Sequence, residues 1–131
     1  MSSIFTRIIR REIPAYVVAE DDEFIAFLDI APLQPGHTLV VPKTEIDYFF
    51  DLDDSQLSRI LLFSKRVATA IESVVACQRI GITVIGLEVP HAHLHLVPLQ
   101  HSGDMEFSRL KLKLSQEYMN DLATKIKSAF K

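Results

Sequence analysis

Residues 91–96 alternate between histidine and an apolar residue, in the order His-Ala-His-Leu-His-Leu. Side chains on a β-strand point alternately to its two faces, so the pattern predicts a strand with three imidazoles on one face and apolar packing on the other. Neighbours on one face of a strand lie about 6.5–7 Å apart, close enough to surround one small anion or metal ion. A purely structural role for the three rings is disfavoured, because each has hydrogen-bonding nitrogens to satisfy.

Two chemical interpretations of His91, His93 and His95 are open on the motif alone. Zinc accepts three histidines and keeps a fourth position for water. Alternatively, one neutral imidazole attacks phosphorus, while the others donate protons to phosphoryl oxygens and to the leaving group. An ordinary histidine pKa of about 6.5 suits the second role, because both protonation states are accessible near neutral pH.

The composition excludes several classes of protein. A chain of 131 residues, 48% of them hydrophobic, is expected to form one globular domain, 1–131, rather than a disordered segment. The formal net charge of −3 argues against a general affinity for nucleic acid or anionic membranes. A single cysteine, Cys77, fits a reducing compartment. With no apolar run long enough to span a membrane, the expected location is cytoplasmic.

Hydrophobic periodicity predicts an α+β fold, in which an antiparallel sheet of about five strands packs on one long helix. The long helix is expected over 53–77, with Asp53 or Asp54 as its N-cap. A short helix is expected over 3–11, and a C-terminal helix over 115–131 begins after Ser115. The predicted strands cover residues 16–18, 24–28, 37–41, 80–85 and 91–97.

Several segments in order along the chain resemble the histidine triad (HIT) family, and within it the Hint-like branch. They are residues 4–15, 20–23, 26–30 and 35–43, together with the His-x-His-x-His signature of residues 91–98. The resemblance is strongest over residues 3–98. It implies a HIT-like fold, a homodimer, and a site that binds a purine nucleotide substrate and cleaves at its α-phosphate.

The resemblance also implies roles for individual residues. His93 is similar to the nucleophile that forms a nucleotidyl-histidine intermediate, which water then hydrolyses. By the same resemblance His91 orients the site, His95 binds phosphoryl oxygens, and His37 pairs with the cluster. Asp29 resembles the acid that accepts the ribose hydroxyls. The other expected nucleotide-binding residues are apolar: Phe5, Ile8, Phe27, Ile30, Leu39 and Val89. Of these, Phe5, Ile8, Phe27 and Leu39 also fit ordinary core positions.

The sequence departs from the family pattern at two places. Many members begin with Cys-x-x-Cys in a zinc site, whereas these positions are Ser3 and Thr6 here, so we expect no structural zinc and no cofactor. Glu88 stands where the family usually has a hydroxyl that contacts the phosphate or leaving group. A carboxylate there repels a phosphate dianion unless it is protonated or paired with an imidazolium. Glu88 therefore pairs with a triad histidine, faces an amine leaving group, or simply lies in solvent.

The main functional hypothesis is a hydrolase of nucleoside phosphoramidates or related nucleoside 5′-phosphate derivatives. Relatives that transfer the nucleotidyl group to a sugar phosphate tend to have glutamine at the third histidine position, so His95 favours water as the acceptor. The alternatives are a dinucleoside polyphosphate hydrolase, a nucleotide sensor or interaction module with vestigial activity, and a non-catalytic zinc protein.

Overall fold

The computed structural model describes residues 2–131, which form three α-helices and one five-stranded sheet. The helices are α1 (Ile4–Ile9), α2 (Asp54–Val74) and α3 (Gln116–Ala129). The strands are β1 (Val17–Glu20), β2 (Phe24–Leu28), β3 (Thr38–Pro42), β4 (Arg79–Thr83) and β5 (Leu94–Leu99). Short 3-10 helices cover Phe49–Asp51 and Ser102–Met105. The predicted α+β fold with about five antiparallel strands and one long helix is confirmed.

The sheet has the strand order β1-β2-β3-β5-β4, and every neighbouring pair is antiparallel. The first three strands follow one another as a meander, whereas β5 returns to β3 after α2 and β4. In the β3–β5 ladder Leu39 lies opposite His95, and Thr38 lies opposite Leu96. This pairing brings the start of β3 next to the histidine cluster, although the two are more than fifty residues apart in sequence.

The two faces of the sheet bury different apolar groups. One face packs on α2 and α3 and includes Leu94 and Leu96. The opposite face carries a smaller cluster of Phe5, Ile8, Ile25, Phe27, Leu39 and Val41, which packs α1 on the sheet. Because side chains alternate along β5, Leu94 and Leu96 lie in the larger core, and the imidazole of His95 lies on the face that packs against α1.

The long helix begins at a capping box. The Asp53 carboxylate accepts from the Gln56 backbone N–H, and the Gln56 side chain accepts from the Asp53 backbone N–H. Ile60, Val67 and Ile71 recur at helical spacing and are fully buried against the sheet. Within residues 2–131, no helix combines the length and the apolar character that crossing a bilayer requires.

The last strand begins later than the alternation predicts, at Leu94 rather than His91. The β3–β5 ladder ends at Val40 and Leu94, and an extension of its register would place Pro42, which has no N–H for the ladder, opposite Ala92. The Ala92 N–H instead donates to the Ile46 carbonyl. Smaller differences affect β4, which ends at Thr83 instead of residue 85, and α2, which ends at Val74 instead of Cys77.

Candidate functional site

The histidine cluster meets α1 on the smaller apolar face of the sheet. The Phe5 ring packs edge-on against the His93 ring, with centroids 5.0 Å apart, and lies 5.9 Å from the His91 ring. Phe27 of β2 closes the other side of Phe5, with ring centroids 5.5 Å apart. His93 and His95 are themselves neighbours, with ring centroids 5.1 Å apart. The fold thus gathers the three imidazoles beside an apolar wall built from α1, β2 and β3.

The orientation of His93 is set by a main-chain carbonyl. His93 Nδ1 lies 2.7 Å from the His91 backbone oxygen, and a carbonyl only accepts, so Nδ1 carries the proton and donates it. The other nitrogen, Nε2, then has a free lone pair and no hydrogen-bond partner among the described residues. Burial lowers the pKa of His93, which favours the neutral imidazole that a nucleophilic role requires.

His37 and His95 form a buried pair whose proton positions follow from a backbone donor. The Leu33 N–H donates to His37 Nδ1 at 3.0 Å, so the His37 proton is on Nε2. That Nε2–H donates to His95 Nδ1 at 3.0 Å, and the proton of His95 is therefore on its own Nε2. Burial lowers the pKa of His37 to about 3 and that of His95 to about 4, so both rings are neutral at pH 7.

His91 is fully buried and is held from both sides of its ring. Its Nε2–H donates to the Pro42 carbonyl at 2.8 Å, which leaves Nδ1 as an acceptor. The Ser3 hydroxyl donates to that Nδ1 at 2.7 Å. Both ring nitrogens are thus engaged in protein hydrogen bonds, whereas His93 keeps one nitrogen free.

Asp29 follows β2 and lies beside the histidine pair. Its Oδ1 accepts from the Ala31 N–H at 2.9 Å, and its Oδ2 is 3.7 Å from His37 Nε2. Burial raises the pKa of this carboxyl, although its side chain keeps 22% of its surface exposed. The contact with Ala31 is the loop-capping role that aspartate often fills, and one oxygen remains directed toward the site.

The remaining nucleotide-binding candidates divide by exposure. Phe5, Ile8, Phe27 and Leu39 are buried in the α1-face cluster, and Val89 is partly buried against it. Ile30 is 78% exposed at the edge of the site. Glu88 is exposed in the loop that leads to His91, and it makes no ion pair or hydrogen bond within residues 2–131.

Phe107, a residue not singled out from the sequence, covers the histidine pair. Its ring centroid is 4.8 Å from that of His95 and 5.8 Å from that of His37. We call residues 106–113 the strap. Arg109 of the strap donates to the Leu33 carbonyl at 3.0 Å, and the Leu112 N–H donates to the Pro32 carbonyl at 2.8 Å. The strap has neither helical nor strand periodicity, so its sequence carries no signal for this placement.

The donor sets near the site do not suit a metal ion. Asp29, His37 and His95 offer ligand atoms within 4.8 Å of one another, the only such group within the described residues. His37 Nδ1 accepts from the Leu33 N–H, so a metal on Nε2 would require an imidazolate or the loss of that bond. Where relatives with the Cys-x-x-Cys pattern have cysteines, this chain has Ser3 and Thr6, whose hydroxyls are not ligands of structural zinc sites.

Together, the antiparallel sheet, the single long helix and the three imidazoles facing α1 define a class of small α+β proteins built around a histidine cluster. Comparison with known proteins identifies the family. The HIT domain profile matches residues 10–102, and the chain belongs to the HIT family. A HIT-like protein of Borreliella burgdorferi is 37% identical over 131 residues, which cover 94% of each chain.

Two further relatives bear on structure and function. An adenosine 5′-monophosphoramidase of Schizosaccharomyces pombe is 38% identical over 100 residues, covering 75% of this chain and 74% of its own. The crystal structure of a HIT-like protein of Bartonella henselae superposes with a TM-score of 0.83 and 32% identity. That superposition covers 98% of this chain and 96% of the other.

Proposed function

We propose that the protein hydrolyses nucleoside 5′-phosphoramidates at the α-phosphorus through a nucleotidyl-histidine intermediate. The observation that carries the proposal is the bond from His93 Nδ1–H to the His91 carbonyl, because it leaves the Nε2 lone pair free for attack. The similarity to the adenosine 5′-monophosphoramidase of S. pombe supports the choice of substrate class.

The reaction divides into two displacements at phosphorus. His93 Nε2 attacks phosphorus, the bond from phosphorus to the substrate nitrogen breaks, and that nitrogen takes up a proton from solvent and leaves as an amine. Water then attacks phosphorus and gives up a proton to solvent, and the bond from phosphorus to His93 breaks with its electron pair returning to Nε2, which releases the nucleoside monophosphate. The sum is one phosphoramidate and one water giving one nucleoside monophosphate and one amine. His95 Nε2–H is the donor that we assign to a phosphoryl oxygen in both steps.

The nucleotide is expected to lie along the α1 face. Phe5, Ile8, Phe27, Leu39 and Val89 supply an apolar wall for the base, and Ile30 covers it from the exposed side. The free oxygen of Asp29 accepts from the ribose hydroxyls. An apolar wall with few polar contacts to the base suits a purine without strong discrimination between purines.

Hydrolysis of adenosine 5′-phosphoramidate by the purified protein tests the proposal. The wild type is expected to turn the substrate over with or without a chelator, and His93→Ala is expected to lose at least about a thousandfold in kcat. His101→Ala is the matched control, because the His101 side chain is 72% exposed and does not contact the cluster. Turnover that survives His93→Ala contradicts the nucleophile assignment, and turnover abolished by the chelator indicates a metal instead.

Glu88 is proposed to favour an amine over a phosphate as the leaving group. An exposed carboxylate without a partner repels an anionic leaving group and tolerates a neutral or cationic amine. Glu88→Gln and Glu88→Ser are expected to raise kcat/KM for a dinucleoside polyphosphate relative to adenosine 5′-phosphoramidate. If neither substitution changes kcat/KM for either substrate, Glu88 lies outside the leaving-group site.

We also propose that the protein is a homodimer that forms across the free edge of β4. This edge strand and the segment after it expose Ile82, Val84, Ile85 and Leu87 at 50%, 40%, 42% and 88%. Sedimentation velocity is expected to give a dimer for the wild type and a monomer for Ile82→Lys. Leu110→Lys, which changes an exposed leucine of the strap, is expected to leave the dimer intact.

A further inference from the structure

A network of hydrogen bonds connects the start of α1 to the first histidine of the triad. The Ser3 backbone N–H donates to Glu45 Oε1 at 2.7 Å, and the Thr6 hydroxyl lies 2.6 Å from the same oxygen. The Ser3 hydroxyl contacts His91 Nδ1 at 2.7 Å and accepts from the Thr6 N–H at 3.0 Å. We call Ser3, Thr6, Glu45 and His91 the N-terminal cluster.

The Pro42 carbonyl sets the direction of the bond between Ser3 and His91. In a neutral His91 ring the proton lies on Nε2, which donates to the Pro42 oxygen, so Nδ1 accepts from the Ser3 hydroxyl. The Thr6 hydroxyl, with a carboxylate 2.6 Å away, donates to Glu45. Glu45 Oε1 therefore accepts from the Ser3 N–H and the Thr6 hydroxyl, while His91 Nδ1 accepts from the Ser3 hydroxyl.

The carboxylate of Glu45 is well suited to that role. Its two bonds are charge-assisted, and such bonds are shorter and stronger than neutral ones. The Thr6 hydroxyl, followed by the Ser3 N–H, lowers the pKa of Glu45 to about 2, so the group stays ionised at neutral pH. Glu45 itself is exposed, whereas Ser3, Thr6 and His91 are buried. A surface charge thus fixes the buried part of the site.

We infer that Glu45 is a positioning residue, which holds α1 against the triad and fixes the His91 ring that in turn orients the His93 nucleophile. Two physical routes lead from Glu45 to His93. One passes through Ser3 and the His91 ring to the His91 carbonyl, which accepts from His93 Nδ1. The other passes through α1 to Phe5, whose ring packs edge-on against His93. Ser3 and Thr6 stand at the cysteine positions of the Cys-x-x-Cys pattern, where relatives with that pattern are expected to bind zinc. In this chain both residues bond to the Glu45 carboxylate instead.

The kinetic test of this inference rests on the proposed function. Glu45→Ala removes the acceptor of both bonds and is expected to lower kcat for adenosine 5′-phosphoramidate about 10- to 100-fold, with KM changed less than about threefold. Glu45→Gln keeps an oxygen acceptor in the same place and is expected to stay within about threefold of wild type. Asp47→Ala is the matched control, because Asp47 is an exposed carboxylate two residues further along the same segment.

A second measurement does not depend on turnover. Nitrogen-15 NMR of the histidine rings is expected to give a single tautomer at His91, with the proton on Nε2, in wild type, Glu45→Gln and Asp47→Ala. In Glu45→Ala the His91 Nδ1 resonance is expected to shift, because the Ser3 hydroxyl is no longer held against it. If the wild type hydrolyses no phosphoramidate, the proposed function fails, while the NMR comparison still tests the role of Glu45.

A kcat for Glu45→Ala within threefold of that of Asp47→Ala, with unchanged His91 resonances, would overturn the inference. So would a loss confined to KM, since that is a defect in binding rather than in positioning the nucleophile. If Glu45→Ala does not fold, Thr6→Val replaces it, because this variant removes the hydroxyl bond to Glu45, together with the longer contacts of that hydroxyl to Ser3 Oγ at 3.3 Å and His91 Nδ1 at 3.4 Å. Its expected result is a smaller fall in kcat, and an unchanged kcat together with unchanged His91 resonances would equally overturn the role of Glu45.

Discussion

His37 Nε2 donates to His95 Nδ1 across 3.0 Å, and the Leu33 N–H, which donates to the other nitrogen of His37, fixes this direction. The tautomers of two residues that are 58 positions apart in sequence are therefore both determined. The consequence is chemical: His95 is constrained to present an N–H, rather than a lone pair, through its remaining nitrogen. A donor at that point can bind a phosphoryl oxygen, and an acceptor there could not.

Replacement of His37 tests this constraint. His37→Ala is expected to lower kcat about 10- to 100-fold, because His95 is then free to adopt the tautomer that presents a lone pair. His37→Gln keeps an N–H donor near His95 Nδ1 and is expected to retain more activity than His37→Ala. Steady-state rates with adenosine 5′-phosphoramidate measure both effects, and equal rates for the two variants would rule out a role for the donor.

The buried histidine pair also predicts how stability depends on pH. Burial holds the folded-state pKa of His37 at about 3 and that of His95 at about 4, below the unfolded value of about 6.5. Below about pH 6.5 the unfolded chain therefore binds more protons than the folded protein. The free energy of unfolding decreases with falling pH until the pH reaches the folded-state pKa of each ring, about 4 for His95 and about 3 for His37. At pH 5, each histidine is expected to lower it by about 2 kcal/mol relative to pH 7.

Urea denaturation at pH 7 and pH 5 measures this decrease. His37→Gln is expected to show a smaller decrease than wild type, and the exposed His101→Gln variant is expected to match wild type. Burial raises the pKa of Asp29, so protonation of this carboxyl favours the folded state as the pH falls and offsets part of the decrease caused by the histidines. The difference between wild type and His37→Gln is therefore more informative than the decrease for the wild type alone. A wild-type protein that is equally stable at both pH values would contradict neutral burial of the pair.

Asp29→Asn tests the proposed ribose contact. The amide replaces a carboxylate that we propose accepts from the ribose hydroxyls, so KM is expected to rise about tenfold with a smaller change in kcat. A 2′-deoxynucleoside phosphoramidate is expected to bind weakly to wild type and to lose little further in the variant. If Asp29→Asn weakens the ribose and deoxyribose substrates equally, the contact with the 2′ hydroxyl is refuted.

Gly36, the residue before His37, is expected to be intolerant of a side chain. Its φ is +93°, and a Cβ added there would lie 3.0 Å from Val75 Cγ2 and 3.2 Å from Pro98 Cγ. Gly86 also has a positive φ of +70°, but a Cβ there meets no atom within 4 Å among the described residues. Gly86→Ala is therefore expected to cost about 1–2 kcal/mol of stability for its backbone conformation.

Gly36→Ala is expected to cost about 1–3 kcal/mol more than Gly86→Ala, because packing strain adds to the backbone term. Denaturation midpoints of the two variants provide the comparison. Equal midpoints would mean that Val75 and Pro98 move aside freely, and that the loop before His37 is not rigidly held.

The sequence was most informative where periodicity and local chemistry agreed. The alternation over residues 91–96 predicted one face for the imidazoles, and the packing of Leu94 and Leu96 in the opposite core is consistent with it. The predicted aspartate cap of the long helix is confirmed at Asp53, where Gln56 completes the capping box.

Features that depend on long-range contacts were not predictable. The start of β5 depends on Pro42 of another strand, which an extension of the β3–β5 register would place opposite Ala92. Lys43 and Glu20, 23 positions apart in sequence, form an ion pair at 2.7 Å. Phe107 and Glu45 occur in segments without periodicity, so only the folded structure brings them to the histidines. The roles of the candidate site residues remain predictions until the variants are assayed.

The peptide unit between Pro32 and Leu33 connects the strap to the chemistry. Its carbonyl accepts from the Leu112 N–H, and its own N–H donates to His37, which donates to His95. The three bonds run from donor to acceptor in sequence, so each bond polarises the next. The acidity of the proton that His95 presents is therefore set partly by a backbone amide in a segment with no reacting group. A substitution in the strap that weakens the bond from Leu112 to Pro32 is therefore expected to change the acidity of the His95 Nε2 proton.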